Sequence, residues 1–489
     1  SANYLQAVGG ATTVAPVLSA QGSDTDIPLV LQPKGTGALQ AQATTSSATG
    51  GNARGANAVD WQTSRSAANQ VASGQLSFIG GGTNNRASAY ASVASGGYQN
   101  TASNTGSSIS GGSTNTASGT YSAIIGGEIN TAAGYFNVIG GGYINSGTSG
   151  SAVTTQSATM NATTAVTLSG SNASIKVGQY ITGTSIANET YVAAVSGTSL
   201  TLSQVASGSS TGTLSFFTPH GVVVGGGNNT ATGSYSFIGG GGDAGTAGNR
   251  NVASGDWSVV CGGQRNTASN VGAFVGGGGT YGGGIVANIA SGIASSVVGG
   301  VGNTASGFIS FVGGGSNSLA NGSASSICGG NAGTTRSIDG YSVFPACNTP
   351  VSATVGSSQA ALLVLGVQTT DATATVLRSN TSAATTNNQV ILPNNSAYFF
   401  TGEVVAGVTG GGNTKGWTIE GVIKRGSGVG TTALVGSTVT SMYADVGAAT
   451  WTIALSADTT NGGLAVTFTG QASTTIRVVC QIRSTEMTF

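Results

Sequence analysis

From Ser73 to Gly147 the chain is written in five consecutive units of fifteen residues: SGQLSFIGGGTNNRA, SAYASVASGGYQNTA, SNTGSSISGGSTNTA, SGTYSAIIGGEINTA and AGYFNVIGGGYINSG. A fixed period of this kind means stacked, equivalent units, each of which buries its apolar face only against its neighbours. Gly81, Gly96, Gly111, Gly126 and Gly141 each precede a second glycine, and Asn85, Asn100, Asn115, Asn130 and Asn145 follow at one offset. The pattern resumes at Gly225 and runs to a degenerate unit near Ser337. On the way, the units Thr232 to Ala253 and Ser269 to Ala290 each carry a seven-residue insertion.

Two residues before the glycine pair, twelve units read Ile79, Ala94, Ile109, Ile124, Ile139, Val223, Ile238, Val260, Val275, Val297, Val312 and Ile327. A β-branched column suits extended backbone whose side chains pack on the copies above and below. The glycine pairs read as corners between short strands, and the asparagines as a ladder of side-chain amides along the stack. The expected architecture is all-β: a parallel β-roll of fifteen-residue rungs, with Asn85, Asn100, Asn115, Asn130 and Asn145 and the column Ile79, Ile109, Ile124 and Ile139 as its structural ladder.

Composition excludes several alternatives. Glycine supplies 84 of 489 residues, yet only 7 prolines are present, which removes collagen. A hydrophobic fraction of 39% at zero net charge is the opposite of the disorder signature. Fourteen basic and fourteen acidic residues leave no basic surface for nucleic acid. The longest apolar run, Ala360 to Val367, is too short to cross a bilayer as a helix, so no membrane insertion is expected. Ser1 to Gly10 show no secretion signal. Cys261, Cys328, Cys347 and Cys480 have no metal-type spacing and read as buried thiols of a reducing cytoplasm. With His220 as the only histidine, neither a His/Cys metal site nor any cofactor is expected. Glycine is so abundant that a GxGxxG match means nothing here.

Between the two repeat blocks, ASIKVGQYITGTSI, TYVAAVSGTSLTLSQV and TGTLSFF alternate like half-buried strands and predict a small inserted β domain. The C-terminal region has period-2 faces at Trp417, Ile419 and Ile423; Trp451, Ile453 and Leu455; Leu464, Val466 and Phe468; and Ile476, Val478, Cys480 and Ile482. Asn461-Gly462 between two of these runs is a hairpin signal, and the region reads as a β-sandwich or jelly roll. The expected division is an N-terminal attachment region (1–72), a first roll block (73–147), the insertion (148–219), a second roll block (220–337) and the C-terminal domain (338–489).

Catalysis has little visible material. Glu128, Asp243, Asp256 and Asp339 are isolated in the sequence and form no pair at i, i+2 on one strand, whereas glycoside hydrolysis needs two facing carboxylates. The sequence reading is therefore of a chain that is not an enzyme. For sugar binding the candidates are exposed aromatic rings: Tyr398 and Tyr443 in the C-terminal domain and Tyr341 at its base. Trp417 and Trp451 fall in phase with core faces.

The rungs SGTYSAIIGGEINTA and SGDWSVVCGGQRNTA resemble the head repeats of YadA-like trimeric adhesins, whose repeat usually has fourteen residues and is followed by a coiled-coil stalk and anchor not seen in this sequence. The resemblance implies a homotrimeric, left-handed parallel β-roll. The stretches NYLQAVGGATTVAPVLSAQGSDTDIPLVLQPKGTGALQAQ and LPNNSAYFFTGEVVAGVTGGGNTKGWTIEGVIKRG are similar to the ends of bacteriophage fibre and appendage proteins. That resemblance implies a structural virion fibre of the tail-fibre type, assembled in the bacterial host cytoplasm. Its implied partners are further copies of itself, other virion proteins through residues 1–72, and a host-surface glycan or protein. The alternatives are a head fibre or capsid decoration without a specific receptor, a polysaccharide depolymerase spike, and a bacterial trimeric adhesin.

Overall fold

Two-residue strands separated by turns are too short to hold together alone, so their stability has to come from stacking. A computed structural model of the chain describes all residues except 1–3, 148–150, 188–189, 218–220, 244, 282–283 and 348–350. It is all-β, with helix limited to three single turns of 3₁₀ type among the described residues. The chain forms two units, residues 1–117 and 118–489.

In the first unit a hairpin pairs Tyr4–Val8 with Val17–Gln21, and a parallel solenoid follows. Leu39–Gln40, Val59–Asp60, Phe78–Ile79, Val93–Ala94 and Ser108–Ile109 pair in register along one side. Arg86–Ala87, Thr101–Ala102 and Thr116–Ala117 pair along another. Stacking thus begins at Leu39, ahead of the first unit of the sequence repeat. Asp60 is buried there with Arg54, whose Nε lies 2.8 Å from its carboxylate.

The asparagine column is buried and bonds differently from an amide-to-amide ladder. Asn85 Oδ1 accepts from the backbone N–H of Asn100 at 3.0 Å, and its Nδ2 donates to the carbonyls of Gly81 and Gly97 at 3.0 and 2.9 Å. Gln62 Oε1 starts the column by accepting from Asn85 N–H at 2.6 Å. Each amide therefore supplies both the acceptor and the donors that a tight corner leaves unpaired.

In the second unit the same column runs Asn130, Asn145, Asn229, Asn251, Asn266, Asn288 and Asn303, each Oδ1 accepting the next residue's N–H, and ends on Ser318 N–H at 3.0 Å. Between Asn145 and Asn229 the chain leaves the stack to form a six-stranded antiparallel sheet from Thr154–Asn161, Ala165–Leu168, Tyr180–Thr182, Val192–Ser196, Ser199–Leu202 and Ser209–Phe217. Val138 and Ile139 still pair directly with Val222 and Val223 across the gap. The inserted sheet is fastened to the rungs by Tyr135 stacked on Tyr180 at 3.9 Å and by a Lys176–Asp256 ion pair.

The last rung strand, Ser326–Ile327, pairs in parallel with Ser342–Ala346, which pairs antiparallel with Ser358–Thr369. From there one sheet continues through Ile476–Thr488, Ser396–Val408, Thr414–Arg425 and Ala433–Ala444. A second, smaller sheet centred on Gly463–Thr469 contains the hairpin signalled by Asn461-Gly462. Phe468 of that sheet meets Trp417 and Trp451 edge-on at 6.3 and 6.2 Å, so both tryptophans are core residues.

The structure corrects the reading of the cysteines. Cys261, Cys328 and Cys347 are exposed, and only Cys480 is buried. Cys261 and Cys328 directly follow the inward residues Val260 and Ile327, so strand alternation turns them outward.

Candidate functional site

The predicted aromatic platforms separate sharply. Tyr398 is fully buried, its hydroxyl donating to the Ile391 carbonyl at 3.5 Å and its phenol pushed up to about 12 by burial. Tyr341 is also buried, hydrogen-bonded to Glu486 and within 3.3 Å of Ser484 Oγ. Neither ring can face a ligand, and both are corrected to core residues: their strands place them on inward positions. Tyr443, 82% exposed on Ala433–Ala444, stands on the surface.

Tyr341 belongs to a buried polar cluster that joins the last rungs to the C-terminal sheet. Glu486 accepts from Arg336 Nε and Nη2 at 3.1 Å, from Gln359 Nε2 at 2.8 Å and from Ser484 Oγ at 2.8 Å. Burial still pushes its carboxyl up to about 7, because desolvation outweighs the nearby guanidinium.

The four carboxylates singled out in the sequence each have a local task or stand alone. Asp256 holds Lys176 and accepts from Ser234 N–H at 3.2 Å. Asp339 ties Ser323 N–H to Asn380 Nδ2. Asp243 accepts from Asn249 Nδ2 and Gly245 N–H, bonds that hold its carboxyl below the usual range. Glu128 is exposed at a rung corner. His220 lies outside the described residues.

The polar constellation of the second unit lies elsewhere, on the outer face of the C-terminal sheet. Antiparallel register aligns Arg483, Thr401, Glu420 and Thr438 in one row across four strands. It aligns Gln481, Glu403, Thr418 and Thr440 in the next. Together they line a concavity of about 560 Å³. Glu403 and Glu420 are diagonal neighbours on adjacent strands, a relation with Cα atoms about 7–8 Å apart. Gln481, with its amide oriented to suit, accepts from Arg483 Nε and Nη2 at 3.0 and 3.1 Å. Among the described residues neither carboxylate has a hydrogen-bond or ion-pair partner. Two β-bulges on Ala433–Ala444, at Met442 opposite Gly416/Trp417 and at Val435 opposite Val422/Ile423, flank the rows. Phe399 borders them and lines the adjoining concavities of about 840 and 560 Å³. Such a face can hydrogen-bond a polyhydroxyl ligand or receive an oppositely charged surface.

Sequence reasoning missed Glu403, Glu420 and Arg483. The signal was present: on Ser396–Val408 the outward positions Phe399, Thr401, Glu403 and Val405 alternate with the buried Tyr398, Phe400 and Val404. A pair that forms across two strands leaves no i, i+2 spacing in the sequence.

No family model matches the chain, and no curated protein matches it. Among solved structures it is similar to the tailspike protein gp49 of Acinetobacter baumannii bacteriophage Fri1, a capsular polysaccharide depolymerase, at 8% identity and a TM-score of 0.20, over 99% of this chain and 77% of that one. It is also similar to the Acinetobacter baumannii phage AM24 tailspike protein, at 9% identity and a TM-score of 0.17, over 91% and 69% of the two chains. The reading of a chain without enzymatic activity is corrected by this finding, since one of these neighbours is an enzyme. Overlap of this size assigns no residue roles.

Proposed function

We propose that this chain is a homotrimeric bacteriophage appendage of the tail-fibre or tailspike type that attaches the virion to the host cell surface. The observation that carries the reading is the hydrogen-bonded continuity, within the second unit, from the rung strand Ser326–Ile327 into the C-terminal sheet. A stack whose last rung strand pairs directly into a larger sheet is a spacer carrying a head, and binding residues concentrate where a stiff scaffold presents them. In this reading the rungs are YadA-like, residues 338–489 form a sandwich-type head, and residues 148–219 are a flank module. Residues 1–72 meet other virion proteins, and assembly takes place in the host cytoplasm.

The trimer is supported by the outer side of the rungs. Val224, Val298 and Phe311 are exposed there, beside Phe237, Val259 and Phe274, which are only partly covered. A contiguous apolar stripe of that kind marks an interface. Tyr443 is the proposed contact to a surface glycan, its ring offering an apolar face to a sugar.

Fluorescently labelled full-length protein tests the reading. Saturable binding to host bacteria that a surface-glycan-deficient strain loses, and that Tyr443→Ala weakens about tenfold, is expected. Absent binding on every susceptible strain, with antibody failing to decorate virions, overturns it.

A further inference from the structure

We infer that the outer face of the C-terminal sheet seats a second copy of this chain, with Arg483 of one copy set against Glu403 and Glu420 of the next. The inference rests on the homotrimeric reading above and adds the surface on which the copies meet.

Apolar side chains stand on both sides of the polar rows. Val405 is 58% exposed, Phe399 50%, Val364 49% and Val479 47%, and Met487 and Phe344 extend the same face. Side chains of this type gain about 1.5–3 kcal/mol each on full burial, and among the described residues each of them is left about half exposed. Five strands at about 4.8 Å spacing and twelve residues at about 3.4 Å rise give a face of roughly 19 by 41 Å. That is close to the ~800 Å² that each partner contributes to a stable interface.

The edge of the sheet makes the same point independently. Ala433–Ala444, ALVGSTVTSMYA, is twelve residues long, and from Val435 onward every residue is exposed. Among the described residues it pairs only with Thr414–Arg425. It contains no charge and no proline, two of the devices that keep a long edge from pairing with another chain, and between its bulges at Val435 and Met442 the stretch 436–441 runs in regular register. The stretch 436–441 is consistent with an edge that is covered in the assembled protein, with Tyr443 left free beyond it.

Charge decides which occupant fits. The guanidinium is carried by Ile476–Thr488, while the carboxylates are carried by Ser396–Val408 and Thr414–Arg425. With Arg477 on the same strand as Arg483, one side of the face is positive, while Glu403 and Glu420 outweigh the outward Lys424 and leave the other side negative. A rotated copy presents its positive side to the negative side of its neighbour, which is the head-to-tail contact that closes a ring. Two carboxylates without partners and an Arg483 held ready by Gln481 become a paired set. With zero net charge on the chain, no overall repulsion opposes the contact.

Two measurements on the full-length protein test this. Thr401→Cys and the loop variant Ser427→Cys are labelled with a bulky maleimide, with peptide mass spectrometry reporting each site separately from the native cysteines, and light scattering gives the native mass. In an oligomer, Cys at 401 is expected to react at least about tenfold more slowly than Cys at 427. Arg483→Glu is expected to abolish that protection, and adding Glu403→Lys with Glu420→Lys to restore it. An oligomer in which both sites label equally fast overturns the inference and leaves the homotrimeric reading standing. A native mass equal to the 47.1 kDa chain overturns both. Fast labelling that only added bacterial capsular polysaccharide slows assigns the face to a saccharide and also overturns the inference.

Discussion

Asn303→Ala removes one step from the ladder of the second unit, and its cost can be worked from the bonds it breaks. Asn303 is fully buried; its Oδ1 accepts from Ser318 N–H at 3.0 Å, and its Nδ2 donates to the carbonyls of Gly299 and Gly315, both at 2.9 Å. Truncation leaves Ser318 N–H buried without an acceptor. It also removes the side-chain donor to Gly299, while Gly315 keeps its bond from Val301 N–H at 3.0 Å. Two unsatisfied groups at about 1–3 kcal/mol each, with a small cavity added, come to about 3–5 kcal/mol. In a stack whose rungs contact only their neighbours, that loss stays local. Hydrogen exchange read by mass spectrometry over residues 296–320 is therefore expected to lose about 10²- to 4 × 10³-fold of its protection, at about 1.4 kcal/mol per tenfold. The exposed Ser306→Ala in the same rung serves as control and is expected to stay within about 0.5 kcal/mol of wild type. If protection in Asn303→Ala matches the control, the asparagines are spectators and the column is held by its apolar residues alone.

Glu486 makes stability depend on pH with a definite sign. Its folded pKa of about 7 lies above the ordinary 4.5, so its contribution is full below about 4.5 and is lost as pH rises through 7. Wild type should lose melting temperature between pH 5 and 8 more steeply than Glu486→Gln, and parallel curves would count against the assignment. Gly315→Ala should cost at least about 2 kcal/mol in thermal melts, because φ is +85° and the new Cβ falls 2.0 Å from the Gly330 carbonyl oxygen. Gly299→Ala, with nothing within 4 Å and φ outside the left-handed region, should be nearly neutral, and equal losses in the two variants would contradict this account of the corner.

The stacked architecture was legible because its determinants recur. A buried β-branched residue and a buried asparagine appear in rung after rung, and each copy is a separate reading of the same environment. The corners were only half legible. Positive φ occurs at the second glycine of the pair, but also at Leu76, Asn84, Ala91 and Gln99 in the first unit and at Phe136 and Ile144 in the second. Those positions accept side chains of every kind because backbone bonds from neighbouring rungs hold them, as Gln99 N–H is held by Thr83 O at 2.9 Å. The outer side of the rungs carries a further signal that a search for one conserved type overlooks. Phe237, Phe274 and Phe311 are each followed two residues later by glycine, and Ser296 by Val298. A Cβ on Gly313 would lie 2.7 Å from the Cys328 carbonyl oxygen of the next rung and 3.3 Å from the Phe311 ring, so the glycine makes room first for the neighbouring backbone and then for the ring. Tyr341 and Tyr398 misled because aromatic content does not reveal direction, and only the register of their strands shows that they point inward.

Register also explains where variation is free to accumulate. Between Asn145 and Asn229 the chain builds an entire sheet, yet Asn145 Oδ1 still receives Asn229 N–H at 3.0 Å and Ile139 still pairs with Val223. The seven-residue insertions likewise leave Asn229 bonded to Asn251 and Asn266 to Asn288, at 3.1 and 3.2 Å. What specifies a rung is thus a few inward groups and corner glycines at fixed places, and the stack tolerates long insertions between them. Function has to be sought in the residues the repeat does not explain: Lys176 reaching across to Asp256, Tyr443 on an edge without charges, and the unpartnered Glu403 and Glu420 beside Arg483. The repeat makes these residues stand out, because a position that departs from its column or faces away from the core is held in place by the stack without being needed by it.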